Sequence, residues 1–210
     1  MRLMNRRSIL AIALLPLLPG LAMAAPAAQD QADLARIERY LLGLRTLRAR
    51  FLQIAPNGDT SQGNAWIERP GRLRFDYDPP APFLLIAGYG GVMFHDRKLQ
   101  QTSNFPLSQT PLGILLSEQP KLSGDVTVEA IDRQPGLIQV TLHRTGHQGD
   151  GSLTLTFADS PLELRQWSVI DPQRLETRVS LFDIHLGEKF NPKLFDITDP
   201  KIQPGGTPGR

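Results

Sequence analysis

The feature that most constrains this fold is a change in hydrophobic period that follows residue 48. Ten short segments beyond that point are rich in β-branched or aromatic residues and are divided by turn signals such as Asn57-Gly58. Alternation with a period of two places successive side chains on opposite faces of a sheet. The sequence therefore predicts an antiparallel meander that forms either a strongly curved sheet or an incomplete barrel. The predicted strands are 49–55, 61–69, 72–78, 83–88, 91–96, 125–132, 137–144, 151–158, 163–170 and 174–182.

One helix is predicted before the strands, because apolar residues recur at steps of three and four between Asp33 and Arg48. This spacing is typical of an amphipathic helix, and Asp30 or Asp33 is its expected N-cap. The apolar face consists of Leu34, Ile37, Leu41 and Leu44.

A second helix is predicted from Thr110 to Ser117, between the fifth strand and the later ones. Thr110 can act as the N-cap, and Pro111 suits the first helical position. The five residues that follow are apolar apart from Gly113. A short helix with so little polarity inside a sheet protein is expected to cover an apolar surface.

The amino terminus has the pattern of a secretory signal peptide. Arginines precede an apolar run at residues 9–18, and Ala22-Met23-Ala24 supplies a small-x-small cleavage site. The paired arginines leave open whether the general or the twin-arginine export route is used. We expect a cleaved signal at 1–24, one domain at 25–200 and a flexible tail at 201–210.

Charge and cysteine content narrow the function further. Loss of the three signal arginines lowers the formal net charge from +2 to −1, so the high pI does not indicate nucleic-acid binding. The chain contains no cysteine, so we expect neither disulfides nor a lipid-modified amino-terminal cysteine. The mature protein is expected to be free and soluble in the periplasm.

No catalytic constellation stands out in the sequence. It has no G-x-S-x-G elbow, no phosphate-binding glycine loop and no cysteine nucleophile. His143 and His147 lie near Asp150, but their glycine-rich hairpin turn favours solvated histidines over a metal site. The sequence therefore favours a protein that is not an enzyme.

The third strand is predicted to have one charged face and one apolar face. Its alternating charges are interpreted as solvated partners in cross-strand ion pairs. They are Arg72, Arg74, Asp76 and Asp78. Counted by twos, Arg69 falls on the other side with Leu73 and Phe75, so it is either a solvated rim charge or an arginine that points into an apolar interior.

Several motifs occur in order along nearly the whole predicted mature chain. They are Phe51-Leu52-Gln53, Gly63-Asn64-Ala65-Trp66-Ile67-Glu68-Arg69-Pro70, Leu73-Arg74-Phe75-Asp76-Tyr77, Leu99-Gln100-Gln101, Thr110-Pro111-Leu112, Phe190-Asn191-Pro192-Lys193-Leu194-Phe195 and Asp199-Pro200. Together they resemble the outer-membrane lipoprotein carrier family LolA. One departure is Met93-Phe94-His95-Asp96, which stands where that family usually has W-x-Y-D.

The resemblance implies a mainly β (α+β) fold: a curved, unclosed β-barrel around an apolar cavity, covered by the amino-terminal helix and the lid helix. It implies a monomeric periplasmic chaperone without a cofactor. Such proteins shield the acyl chains of lipoproteins released by the inner-membrane ABC-type complex LolCDE and deliver them to the outer-membrane receptor LolB. The alternative is a periplasmic lipid- or lipoprotein-sensing module of the same fold.

The resemblance also supplies candidate site residues. The predicted cavity wall consists of Trp66, Leu73, Phe75, Leu84, Ile86, Met93 and Phe94. The predicted lid contains Pro111, Leu112, Leu115 and Leu116. The matching arginine of the family implies that Arg69 hydrogen-bonds the lid in a closed form and loses these bonds on opening.

Overall fold

The computed structural model describes residues 28–198, which form an eleven-stranded antiparallel sheet and two α-helices. The predicted signal peptide and tail lie outside these residues. The helices are α1 (Ala28–Gly43) and α2 (Leu112–Leu115). The strands are β1 (Thr46–Ile54), β2 (Thr60–Glu68), β3 (Arg72–Tyr77), β4 (Phe83–Gly88), β5 (Gly91–Asp96), β6 (Gln101–Pro106), β7 (Val126–Gln134), β8 (Leu137–Arg144), β9 (Ser152–Asp159), β10 (Leu162–Ile170) and β11 (Glu176–Leu186).

The sheet is a meander whose two halves are joined at its centre. Its spatial order is β6-β5-β4-β3-β2-β1-β11-β10-β9-β8-β7, so the first and last strands pair with each other. β6 and β7 follow one another in the chain but lie at opposite ends of the sheet. The sheet is therefore unclosed, and the predicted mainly β architecture is confirmed. Within the described part of the chain, no helix is long and apolar enough to span a bilayer.

Among the described strands, β6 is the one that the sequence pattern does not predict. All six of its residues are exposed, and most of them are polar. An edge strand with water on both faces needs no apolar side, so no alternation marks it. The other ten strands match the predicted segments apart from small shifts at their ends.

α1 lies about five residues earlier than predicted, because β1 already begins at Thr46. Leu47 and Ala49 alternate into the core as strand residues and pair with β2 on one side. The prediction of an N-cap at Asp30 or Asp33 is wrong, since both lie inside the helix. Asp33 instead accepts hydrogen bonds from Arg36 and from Arg133 of β7.

The inner face of the sheet carries the main hydrophobic core. α1 packs Ile37 and Leu41 onto it, and both are fully buried. The Phe51 ring of β1 stacks on Phe75 of β3 at 4.5 Å, and Phe75 lies 5.8 Å from the Trp167 ring of β10. β3 and β10 are four positions apart in the sheet, so this contact requires strong curvature around an apolar interior.

A second, smaller core lies on the opposite face of β4 and β5. Three fully buried residues, Leu84, Ile86 and Met93, pack there against Phe195 of a 3₁₀ helix at Pro192–Phe195. Trp66 packs against the same group. The assignment of these four sheet residues to the inner cavity wall is therefore wrong. Alternation places these residues on the face opposite to the main core. The carboxy-terminal segment, residues 190–197, packs its apolar side chains onto that outer face.

The same segment covers the charges of β3, so the prediction of a solvated face is wrong for Arg74 and Asp76. Arg74 is 0% exposed and Asp76 is 4% exposed. Arg74 Nη2 donates to Asp76 Oδ2 at 2.9 Å, and Arg97 Nη2 donates to Asp76 Oδ1 at 2.6 Å. Arg74 Nη1 also donates to the Leu194 carbonyl oxygen at 3.3 Å. These bonds satisfy charges that would otherwise be costly to bury.

Candidate functional site

The lid is the segment from Leu107 to Ser117, which crosses the inner face between β6 and β7. A 3₁₀ turn at Leu107–Gln109 precedes α2. Ile114, Leu115 and Leu116 are buried in the main core, whereas Pro111 and Leu112 are half-buried. Pro111 occupies the N-cap position, so the predicted capping by Thr110 is wrong. The Thr110 hydroxyl donates instead to the Leu107 carbonyl oxygen at 2.9 Å.

Arg69 lies between the end of α1 and the end of the lid. Its Nη1 donates to the Leu41 carbonyl oxygen, and its Nη2 donates to the Ser117 carbonyl oxygen at 2.6 Å. The neighbouring Gly71 N–H donates to the Leu116 carbonyl oxygen at 2.9 Å. The connection from β2 to β3 therefore donates hydrogen bonds to backbone carbonyls of both α1 and the lid. Arg69 is 7% exposed, so it is not a solvated rim charge.

The surroundings of Arg69 are unfavourable for a charged guanidinium that lacks hydrogen-bond partners. Burial of the guanidinium, assisted by the nearby charge of Arg45, lowers the pKa of Arg69 to about 10. Its Nε is buried and has no hydrogen-bond partner among the described residues. The two carbonyl oxygens thus supply the polar contacts that keep the cation in this place.

Two further contacts hold the lid, and sequence reasoning missed both. Arg144 of β8 donates from Nη2 to the Thr110 carbonyl oxygen at 3.2 Å. A Cβ built on Gly113 would approach Arg144 Nη2 to 2.9 Å and the Leu107 carbonyl oxygen to 2.8 Å. The missing side chain of Gly113 therefore leaves room for the Arg144 guanidinium beside the lid. After the lid, the Leu122 N–H donates to Glu38 of α1 at 2.7 Å.

Three of the predicted wall residues do lie on the inner face. Leu73 and Phe75 are buried in the main core. Phe94 is half-buried and packs on Phe83 with ring centroids 5.4 Å apart. Much of the remaining inner wall comes from the other half of the sheet, including Phe157 and Trp167. The alternation in β9 and β10 is the sequence signal that could have identified these residues.

This geometry defines a class of mainly β proteins, in which an unclosed sheet surrounds an apolar interior covered by helices. The family described as outer membrane lipoprotein carrier protein LolA matches residues 43–198. The chain belongs to this LolA family.

Relatives with that description cover most of the chain. An outer-membrane lipoprotein carrier protein from Dechloromonas aromatica is 28% identical over 209 residues, which is 95% of this chain and 96% of the relative. One from Methylococcus capsulatus is 27% identical over 175 residues, covering 79% and 83% of the two chains. A solved DUF1329 family protein from Desulfovibrio piger matches with a TM-score of 0.50 at 10% identity, covering 80% of this chain and 96% of that one. This last similarity concerns the fold alone.

Proposed function

We propose that this protein is a periplasmic chaperone that carries lipoproteins by shielding their acyl chains beneath the lid. In this proposal it receives them from the inner-membrane ABC-type complex LolCDE and transfers them to the outer-membrane receptor lipoprotein LolB. The observation that carries the proposal is an apolar interior whose cover is fastened by Arg69 through two backbone carbonyls.

The physical need for such a carrier follows from the hydrophobic effect. Burial of a methylene is worth about 0.8 kcal/mol, so exposing an acyl chain of about 16 carbons to water costs on the order of 12 kcal/mol. A lipoprotein therefore needs an apolar host to cross an aqueous compartment. The host must also release it, so its affinity has to remain limited.

A lid that closes on the empty interior meets both requirements. Leu115 and Leu116 are buried against the inner core when the lid is closed. Entering acyl chains would displace these residues, and closure after release would bury them again. Arg69 is proposed as the latch that biases this equilibrium toward the closed form.

The test is replacement of Arg69 by Leu. Loss of its two charge-assisted hydrogen bonds is expected to destabilise the closed form by a few kcal/mol, which shifts the lid equilibrium by about a hundredfold. The variant should fold and load triacylated lipoprotein but deliver it poorly to LolB. Loading is measured by native mass spectrometry, and delivery by a transfer assay with purified receptor.

The matched control is Arg72→Leu, which removes a half-exposed arginine that donates to Glu68 on the sheet. This variant should load and deliver normally. Normal delivery by Arg69→Leu would refute the latch. Wild-type protein that binds lipoprotein yet never transfers it would refute the carrier and favour a sensing module.

A further inference from the structure

The two edges of the unclosed sheet differ in how they are protected. β6 pairs only with β5 among the described strands, and six consecutive residue pairs join them without a bulge. Its residues, Gln101 to Pro106, are all exposed and include no charge. An exposed, regular edge strand without charges can accept a further strand.

The opposite edge is protected in several ways. β7 is interrupted by a bulge between Val128 and Ala130, and it carries the charges of Asp132 and Arg133. Arg133 donates to Asp30 of α1 at 2.6 Å and to Asp33 at 2.9 Å, which brings the helix over this edge. Bulges, charges and a covering helix are the usual means of preventing strand addition. The edge at β7 is therefore protected against strand addition, whereas the edge at β6 is not.

The hydrogen-bonding phase of β6 identifies which backbone groups are free. The Leu107 N–H donates to the Gly90 carbonyl oxygen at 2.9 Å, so this pair belongs to the hydrogen-bonded set. In an antiparallel ladder every second pair is of that kind. The intervening residues Thr102 and Asn104 therefore direct their N–H groups away from β5. Pro106 has the same phase and contributes no donor.

The position of this edge indicates its occupant. β6 continues directly into the lid at Leu107. A cargo with its acyl chains under the lid must pass its polypeptide out beside the lid, and α1 covers the β7 side of the opening. The free edge of β6 therefore borders the remaining exit path for the cargo polypeptide.

We infer that β6 binds, by strand addition, the extended and uncharged polypeptide segment that directly follows the acylated terminus of the cargo. This inference rests on the proposed carrier function. The acyl chains would supply most of the affinity, and the backbone hydrogen bonds at Thr102 and Asn104 would orient the polypeptide.

The experiment uses hydrogen exchange of the full mature protein with two synthetic probes. The first is a triacylated cysteine amide, and the second carries the same group followed by an uncharged extended peptide. Both probes should bind and speed exchange in the lid, because their acyl chains displace Leu115 and Leu116. Only the second should slow exchange of the Thr102 and Asn104 amides, by about tenfold or more.

The outcomes separate the two proposals. If neither probe binds, the carrier proposal fails and the strand-addition proposal fails with it. If both bind and the two amides stay unprotected, strand addition alone is refuted. Protection that depends on protein concentration without any probe would assign the edge to a second copy of this chain and would also refute it.

A pair of variants gives an independent test. Asn104→Pro removes one outward N–H while leaving the hydrogen-bonded pairs with β5 intact, whereas Asn104→Ala keeps that N–H. The proline variant should lose protection of Thr102 by the peptide probe but still bind the triacylated cysteine amide. Equal protection of Thr102 in the two variants would contradict the inference.

Discussion

Arg69 places a positive charge where water has little access, and its hydrogen bonds compensate for that cost. Burial lowers the pKa of its guanidinium to about 10, which is still far above neutral pH. The arginine therefore stays charged in the folded protein at neutral pH. On opening, water can replace the carbonyls of Leu41 and Ser117 as partners. The net stabilisation of the closed form by Arg69 is then about a few kcal/mol rather than the full strength of two charge-assisted hydrogen bonds, which suits the proposed reversible latch.

Gly63 shows a different constraint at the scale of one residue. It lies on β2 directly opposite Phe51 of β1 and Tyr77 of β3. A Cβ at this position would approach Phe51 Cε1 to 2.7 Å and would come closer still to the Asp76 carbonyl oxygen. The glycine therefore leaves room for the Phe51 ring, which stacks on Phe75.

Gly63→Ala is expected to lower the free energy of unfolding by about 2 to 3 kcal/mol, because overpacking displaces an aromatic ring and the neighbouring strand. Chemical denaturation measures the change. The control is Gly149→Ala, where an added Cβ would meet no atom within 4 Å, and the expected effect is below about 0.5 kcal/mol. Equal effects in the two variants would contradict this account of Gly63.

At the scale of the element, the lid is held differently at its two ends. Its beginning is fixed by the Leu107 N–H to Gly90, by Arg144 to Thr110 and by the burial of Leu107. Its end, at Ser117, is followed by a loop in which most residues from 118 to 125 are exposed. We therefore expect the lid to open from the Ser117 end and to pivot near Thr110.

Arg144→Leu should loosen that pivot. The lost hydrogen bond is worth about 1 to 2 kcal/mol, so lid amides should exchange about tenfold faster while global stability changes little. Hydrogen exchange of residues 107–117 gives the readout. Arg165→Leu is the control, because Arg165 is half-exposed and pairs with Glu163 on its own strand. Unchanged exchange in Arg144→Leu would show that Arg144 does not position the lid.

At the scale of the whole molecule, the sheet has apolar groups on both faces of β4 and β5. The inner face meets α1 and the lid, and the outer face meets the carboxy-terminal segment. Gly88 allows that segment to come close, since its added Cβ would collide with the Phe195 carbonyl oxygen. The segment around Phe195 is thus a structural part of the domain and dehydrates the Arg74–Asp76 pair.

Phe195→Ala should destabilise the whole protein by about 3 to 5 kcal/mol, because a fully buried ring is removed from a small core. The measurement is thermal or denaturant unfolding of the mature protein. Phe182→Ala serves as the control, since Phe182 is 42% exposed and its loss should cost less than about 1 kcal/mol. A similar small loss in both variants would mean that the outer core contributes little stability.

The sequence by itself determined the local structure and the family. Alternation predicts ten of the strands, an apolar run after Pro111 predicts the lid helix, and ordered motifs indicate the LolA family. Each strand, helix or motif depends on residues that are close together in the sequence, so it can be recognised from the sequence pattern alone.

Only the tertiary structure decided which face of each strand is the inner one. Alternation groups Leu84 with Ile86, but it cannot tell whether the lid or the carboxy-terminal segment covers them. The burial of Arg74 likewise depends on Leu194, which lies 120 residues further along the chain. The edge position of β6 depends on its separation from β7 in the sheet. Such contacts form only when the sheet curves, and no local pattern encodes them.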